Sequence, residues 1–219
     1  MTSLGHAHPR VNAAIHAQVD ELIHVCNGLG HLEPVTRLAE MIVDELPEPH
    51  DTVYFANSGA EVVDAAMKMA RRATGRTHII AFTGGFHGST YGATSITSSS
   101  LNYRTGYDPM LPDVHLAPFP NVYRDFDGDE ERASAVCLDH LERLFAEQLQ
   151  PARTAAFIIE PVQGEGGYVP APVAFLKGLR ELATRHGVLL IMDEVQSGYG
   201  RTGKMWAFEH ADIVPDVVL

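Results

Sequence analysis

Two near-continuous apolar runs, Thr154-Ala-Ala-Phe-Ile-Ile-Glu160 and Val188-Leu-Leu-Ile-Met-Asp193, constrain this chain more than any other feature, and each is closed by an acid. A helical pattern from Pro172 to His186 separates them. Apolar strands alternating with helices imply a mostly parallel sheet buried on both faces. Ligands of such sheets sit outside the carboxyl ends of the strands. Asn57, Glu160 and Asp193 all fall at expected strand ends, so the fold class itself points to where chemistry should be sought.

The rest of the chain fits this alternation. A first helix is expected from Pro9 to about Val25. Val35, Leu38, Ala39, Ile42, Val43 and Leu46 recur at helical spacing, with Pro34 in the first turn and Pro47 ending the run. Thr52–Ala56 reads as a short strand. The next helix runs from Gly59 towards Thr74, where Gly75 is a stop signal, and Ser58-x-x-Glu61 has the pattern of a capping box. His78–Phe82 is a second strand, and a helix is expected from about Ser134 to Gln148. The stretch from about Ser98 to Glu131 has little periodicity, apart from a possible strand at Val114–Ala117. Stretches that long inside a compact domain are usually functional or wrap a partner. The domain organisation expected is a helical segment over 1–50 leading into a large domain over 51–219.

A net charge of -12 argues against nucleic acid or an anionic membrane as the main partner, and no apolar run approaches the length of a membrane span. Cys26 and Cys137 form no metal or redox spacing, which suits free thiols in the cytoplasm. No secretory leader is expected. His6 and His8 are the only close histidine pair and lack a completing ligand, so no metal site is expected.

Four segments are able to carry chemistry. Ser58-Gly59-Ala60 opens a helix whose unpaired amides favour an anion such as a phosphate, although the segment also reads as an ordinary capped helix. Gly84-Gly85-Phe86-His87-Gly88 surrounds one aromatic with glycines, which suits a ring held against a flat ligand or a structural turn. It is not a dinucleotide fingerprint. Asp193 must be paired where it ends a buried strand, either with an arginine or with a heterocyclic cation such as a pyridinium. Glu160 and Glu165 flank Pro-Val-Gln-Gly, where they could orient a cofactor, pair with an arginine, or lie on a solvated loop. A ligand that needs both a phosphate seat and a strand-end acid is pyridoxal 5'-phosphate (PLP). The chain has three lysines, Lys68, Lys177 and Lys204, and none has the desolvated or cation-flanked setting of a Schiff-base lysine.

With these segments in order, the chain resembles the class III (subgroup II, ω-) aminotransferases of PLP fold type I. The matching segments are Leu4-Gly-His-Ala-His-Pro-Arg10, Asn57-Ser-Gly-Ala-Glu61, Phe86-His-Gly88, Glu160-Pro-Val-Gln-Gly-Glu-Gly-Gly167, Asp193-Glu-Val-Gln196, Gly200-Arg-Thr-Gly203 and Pro215-Asp216. The resemblance implies an α/β large domain with a seven-stranded type of sheet. It also implies transfer of an amino group from an ω-amino acid or amine, of the 4-aminobutyrate or acetylornithine kind, to a 2-oxo acid by a homodimer or larger assembly. It implies that Ser58, Gly59 and Ala60 bind the cofactor phosphate, that Phe86 and Val195 pack on the two faces of the ring, and that Asp193 is the catalytic acid at the ring nitrogen. Gln196 would reach the phenolic oxygen, Glu160 would help position the cofactor, and Glu165 would sit in the substrate pocket and pair with an arginine from the C-terminal part. His87 falls in the cofactor segment without a role of its own.

The sequence also departs from the family. Ser89 stands where many of these enzymes have an arginine for a substrate carboxylate, and a serine cannot form a bidentate charged clamp. Family members carry the catalytic lysine a few residues beyond a Pro-Asp segment like Pro215-Asp216, and a small C-terminal domain after it. The expectation is therefore a fragment of a longer enzyme, inactive alone. Two rivals stay open at this point: a same-fold aminomutase, decarboxylase or phospholyase, and a non-catalytic partner chain.

Overall fold

A computed structural model describes residues 3–26 and 29–219. The chain divides into two compact units, Met1–Val53 and Tyr54–Leu219. The first holds two helices, α1 (Pro9–Glu21) and α2 (Glu33–Asp44), each with proline in its first turn. Neither buries a residue. Helix α1 stops four residues short of the expected Val25. There Leu22 turns extended while its amide still bonds to Gln18, and the Gln18 side chain caps the Leu22 carbonyl at 2.7 Å.

The second unit is built in the order α3 (Gly59–Thr74), β1 (His78–Phe82), α4 (Tyr91–Ile96), β2 (Val114–Ala117), α5 (Val122–Asp125), α6 (Glu130–Glu147), β3 (Thr154–Ile159), β4 (Val162–Gln163), β5 (Val169–Pro170), α7 (Val173–His186), β6 (Leu189–Met192) and β7 (Val217–Val218). Five strands form one sheet in the order β2-β1-β3-β6-β7, and every pairing in it is parallel. Strands β4 and β5 form a separate antiparallel ribbon.

Both faces of the large sheet are covered, as its unbroken apolar strands require. On one face Val63, Ala66, Met67 and Ala70 of α3 and Ala93 and Ile96 of α4 cluster with Ile79, Ala81, Ala156, Ile158 and Ile191. The alternate strand residues look the other way. Phe82 meets Phe175 of α7 edge-on at 5.7 Å, and Phe157 meets Phe145 of α6 at 5.9 Å. Such aromatic pairs add to the free energy of simple burial.

Three expectations are corrected. Thr52–Ala56 forms no strand, because an extended segment needs a neighbour for its backbone groups and none is paired to it among the described residues. Helix α6 begins at Glu130 rather than Ser134, since the Asp129 side chain accepts from the Arg132 amide at 2.9 Å and caps it there. The stretch after Ser98, expected to be aperiodic apart from a strand at Val114–Ala117, contains a 3₁₀ turn at Leu101–Tyr103 and helix α5 as well, while strand β2 lies where it is expected.

Candidate active site

The carboxyl ends of β1, β3 and β6 lie side by side, and the loops that leave them converge with the first turn of α3. Gly88 makes the convergence possible. It has φ +124°, and a Cβ there would lie 2.5 Å from the Cβ of Ala60. Only glycine combines that backbone conformation with so close an approach. The four segments enclose a cavity of about 260 Å³ lined by Gly59, Ala60, Phe86, His87, Gly88, Glu160, Glu165, Asp193, Val195 and Gln196.

The start of α3 is capped as its sequence indicates. Ser58 Oγ accepts from the Glu61 amide at 3.2 Å, while Glu61 Oε2 accepts from the Asn57 amide at 2.6 Å. The reciprocal arm reaches Asn57 rather than Ser58, a one-residue variation on the capping box. Gly59 and Ala60, next in the helix, have amides without intrahelical acceptors and line the cavity. Ser58 is occupied as the cap, and neither it nor Ser89 lines the cavity.

Asp193 is buried and bonds His87, which is buried as well. The Asp193 Oδ2 to His87 Nδ1 distance is 2.7 Å, and Asp193 Oδ1 accepts from the Val195 amide at 3.2 Å. Each carboxylate oxygen keeps a lone pair for a further donor. The His87 main chain is fixed in turn by its amide, which donates to Thr97 Oγ1 at 3.0 Å. A histidine rather than an arginine therefore partners the strand-end acid, and it gives His87 the role that sequence reasoning lacked. The two residues are 106 apart, so no local spacing links them.

Glu160 is used differently. Its Oε1 accepts from the Phe86 amide at 2.8 Å and its Oε2 from the Gly164 amide at 3.0 Å. It ties the loop after β1 to the loop after β3 and so sets the backbone that carries Phe86. Burial pushes its carboxyl above the usual glutamate range, against the downward pull of His87 and the two amides, and nearby Asp193 adds to the rise. Glu194, the residue after Asp193, is fully buried. Its carboxylate accepts from Ser197 Oγ at 2.5 Å and from the Phe208 amide at 2.8 Å, which folds the following loop back under the cavity. Burial raises its carboxyl too, opposed by these hydrogen bonds.

The cavity suits PLP on its own observations. Gln196 Oε1 is buried and has no hydrogen-bond partner among the described residues. Val195 is an apolar side chain left 58% exposed on the cavity wall. A polar acceptor and a bare apolar surface beside a buried acid are what a flat ring with a polar edge would cover. Lys68, Lys177 and Lys204 are all exposed and none lines the cavity; Lys204 Nζ donates to the Glu209 carbonyl at 2.9 Å. A larger cavity of about 480 Å³ lies between residues 121–130 and 166–173, but its charged side chains, Arg124 and Glu130, are exposed. Convergent buried polar groups rather than volume mark the smaller one as the site.

The model of the class III aminotransferase family matches residues 1–219, and the chain belongs to that family. It is 43% identical over 215 residues to an acetylornithine aminotransferase from Methanopyrus kandleri, covering 98% of this chain and 49% of that protein. It is 40% identical over 223 residues to an alanine/serine racemase from Pyrococcus horikoshii, covering 99% of this chain and 47% of that protein. Among solved structures, a taurine:2-oxoglutarate aminotransferase from Bifidobacterium kashiwanohense, in complex with PLP and glutamate, superimposes with a TM-score of 0.91 at 34% identity, over 97% of this chain and 48% of that one. The chain thus spans about half the length of the relatives it matches. That solved relative holds PLP, the group the cavity described above suits.

Proposed function

We propose that the protein to which these 219 residues belong is a PLP-dependent aminotransferase that moves an amino group from an ω-amino acid or amine, of the 4-aminobutyrate kind, to a 2-oxo acid. The single observation that carries this is the Asp193–His87 pair, buried at 2.7 Å on the wall of a cavity whose other resources are helix amides and a Gln196 Oε1 without a partner among the described residues. In this reading residues 51–219 are the central part of the cofactor domain and residues 1–50 a helical lead-in. The Schiff-base lysine is supplied from outside these residues.

PLP, when bound, supplies a ring that takes up the electron pair left on the donor carbon. The chain's own residues do the rest. The amides of Gly59 and Ala60, at the positive end of the α3 dipole, hold the phosphate, with Ser58 fixing that end of the helix. Phe86 and Val195 hold the ring by its faces. Asp193 keeps a proton on the ring nitrogen, and His87 holds the carboxylate in place for that task. Gln196 meets the phenolic oxygen. Glu160 acts through Phe86 and is a positioning residue, and Glu165 stands at the rim for the substrate. Exposed apolar residues on α1 and α2, such as Ile15 at 56% and Met41 at 56%, support a homodimer or larger assembly. The free thiols Cys26 and Cys137 support a cytoplasmic setting. No helix among the described residues is long and apolar enough to cross a membrane.

The test is to isolate the protein as it occurs in its source, load it with PLP, and supply 4-aminobutyrate with 2-oxoglutarate. Glutamate formation is expected. A second reading, racemisation of an α-amino acid, is favoured by the likeness to the alanine/serine racemase. Loss of optical rotation from L-alanine without a 2-oxo acid, together with no glutamate, would replace the first reading by the second.

A further inference from the structure

The loop that carries Phe86 and His87 is held by the residues that follow α4. Glycines at 84, 85 and 88 leave this loop little conformational restraint of its own. Three contacts supply the restraint. Ser98 Oγ accepts from the Gly84 amide at 3.0 Å. The amides of Ser98 and Ser99 donate to the Gly85 carbonyl at 2.8 and 3.0 Å. Thr97 Oγ1 accepts from the His87 amide at 3.0 Å. Consecutive residues thus grip the loop at Gly84, Gly85 and His87.

The Thr97 contact differs from the other two, because it meets the residue that partners Asp193. Thr97 caps the carboxyl end of α4 and is 0% exposed. A hydroxyl buried so completely must place its proton as well as its lone pairs. The proton goes to the Ala93 carbonyl at 2.8 Å, with the Gly88 carbonyl a longer alternative at 3.4 Å, and the lone pairs are left for the His87 amide. Ala93 does not depend on this bond, since its carbonyl also accepts from the Thr97 amide at 3.0 Å. The hydroxyl therefore matters chiefly to His87. Thr97 is braced in turn. Nη1 of Arg104 donates to its carbonyl at 2.6 Å and to those of Ser95 and Thr94 at 3.2 and 3.3 Å. Carbonyls at the end of a helix have no acceptor duty within it, and a guanidinium satisfies them.

We propose that Thr97 is a positioning residue that acts through His87 on Asp193. Its hydroxyl fixes the His87 main chain so that the imidazole meets Asp193 Oδ2 and the open lone pairs of the carboxylate face the cofactor ring. The inference rests on the PLP-binding part of the reading above. The His87–Asp193 bond of 2.7 Å tolerates little drift. A loop free to shift by about half an ångström would stretch it to the outer limit of an N–H···O bond, about 3.2 Å.

The experiment reads that bond directly in the PLP-loaded protein as it occurs in its source. The Nδ1 proton of His87, held by a carboxylate, should give a low-field proton NMR resonance that is absent from His87→Asn. Thr97→Val keeps the shape of the side chain and removes the hydroxyl. It should weaken the resonance or move it upfield and lower kcat roughly fivefold, the worth of about one hydrogen bond, with KM for the donor little changed. Thr97→Ser keeps the hydroxyl and should restore both. Ser98→Ala loosens the same loop at Gly84 without touching His87 and should leave the resonance in place. In the wild type the His87 amide should exchange slowly with heavy water, a measurement that needs no variant to fold. A resonance unchanged in Thr97→Val, one lost equally in Ser98→Ala, or a His87 amide that exchanges as fast as an open loop would overturn the assignment while leaving the aminotransferase reading intact. Resonance and exchange do not depend on turnover, so a protein that binds PLP but forms no glutamate would sink the aminotransferase reading alone.

Discussion

Strands β3 and β6 are neighbours in the sheet, and each ends in a buried acid, Glu160 at 6% and Asp193 at 5% exposure. In the sequence the two look alike. In the molecule they do opposite things. Glu160 spends both oxygens on backbone amides, those of Phe86 and Gly164, so it is a strut between loops. Asp193 has a histidine on one oxygen and a single, longer backbone contact at 3.2 Å on the other, so it retains capacity toward the cavity. The lesson is that burial makes an acid demand partners, but the kind of partner decides its role. Backbone partners make a carboxylate structural, whereas a side-chain partner that leaves lone pairs open makes it available for chemistry.

This contrast can be broken by substitution, and the largest effect should come at Asp193. Asp193→Ala should lower turnover by about 100- to 10,000-fold while weakening PLP binding far less, because the group is needed at a ring proton rather than for the phosphate. The check is kcat beside the PLP dissociation constant, and unchanged turnover at saturating cofactor would remove Asp193 from the chemistry. At Glu160 the order should reverse. Glu160→Ala leaves two amides without their acceptor and should cost about 2–4 kcal/mol of stability, read from urea midpoints, and loosen PLP through Phe86. Glu160→Gln should recover part of this, since an amide oxygen accepts from one N–H but its NH₂ opposes the other. An equal loss in both variants would mean that the carboxylate is not a strut.

The smallest effect sharpens the contrast through pH. Glu160 and Glu194 have carboxyls raised by burial above the ordinary value of 4.5. Between that value and the raised folded one, the folded state binds more protons than the unfolded chain. These two groups therefore make stability fall as pH rises through that window. Glu194→Gln should flatten the slope of urea midpoint against pH just above 4.5, the ordinary value, and a slope unchanged from wild type would contradict the burial argument.

Much of this was legible in the sequence, for physical reasons. The helix from Gly59 to Thr74 with Gly75 at φ +69° follows from a cap, a period and a stop signal that all act within a few residues. Strands β1, β3 and β6 follow from apolar runs that only a sheet covered on both faces can bury. What escaped depends on contacts far apart along the chain. The Asp193–His87 bond spans 106 residues and that of Tyr103 to Glu165 spans 62, with no local pattern to announce either. The strand expected at Thr52–Ala56 failed because its composition is right for a strand but says nothing about whether a neighbour is there to pair with it. The signal that could have flagged His87 was its seat between glycines, next to the one aromatic of its loop.

The most direct measurement is a crystal structure of the protein, as it occurs in its source, with PLP bound. The ring nitrogen is expected within hydrogen-bond distance of the Asp193 carboxylate, about 2.7–2.9 Å for a charge-assisted pair, with His87 still on the other side and the phosphate on the amides of Gly59 and Ala60. PLP seated elsewhere, as in the larger cavity beside Tyr123 and Tyr168, or with its nitrogen turned away from Asp193, would contradict the account.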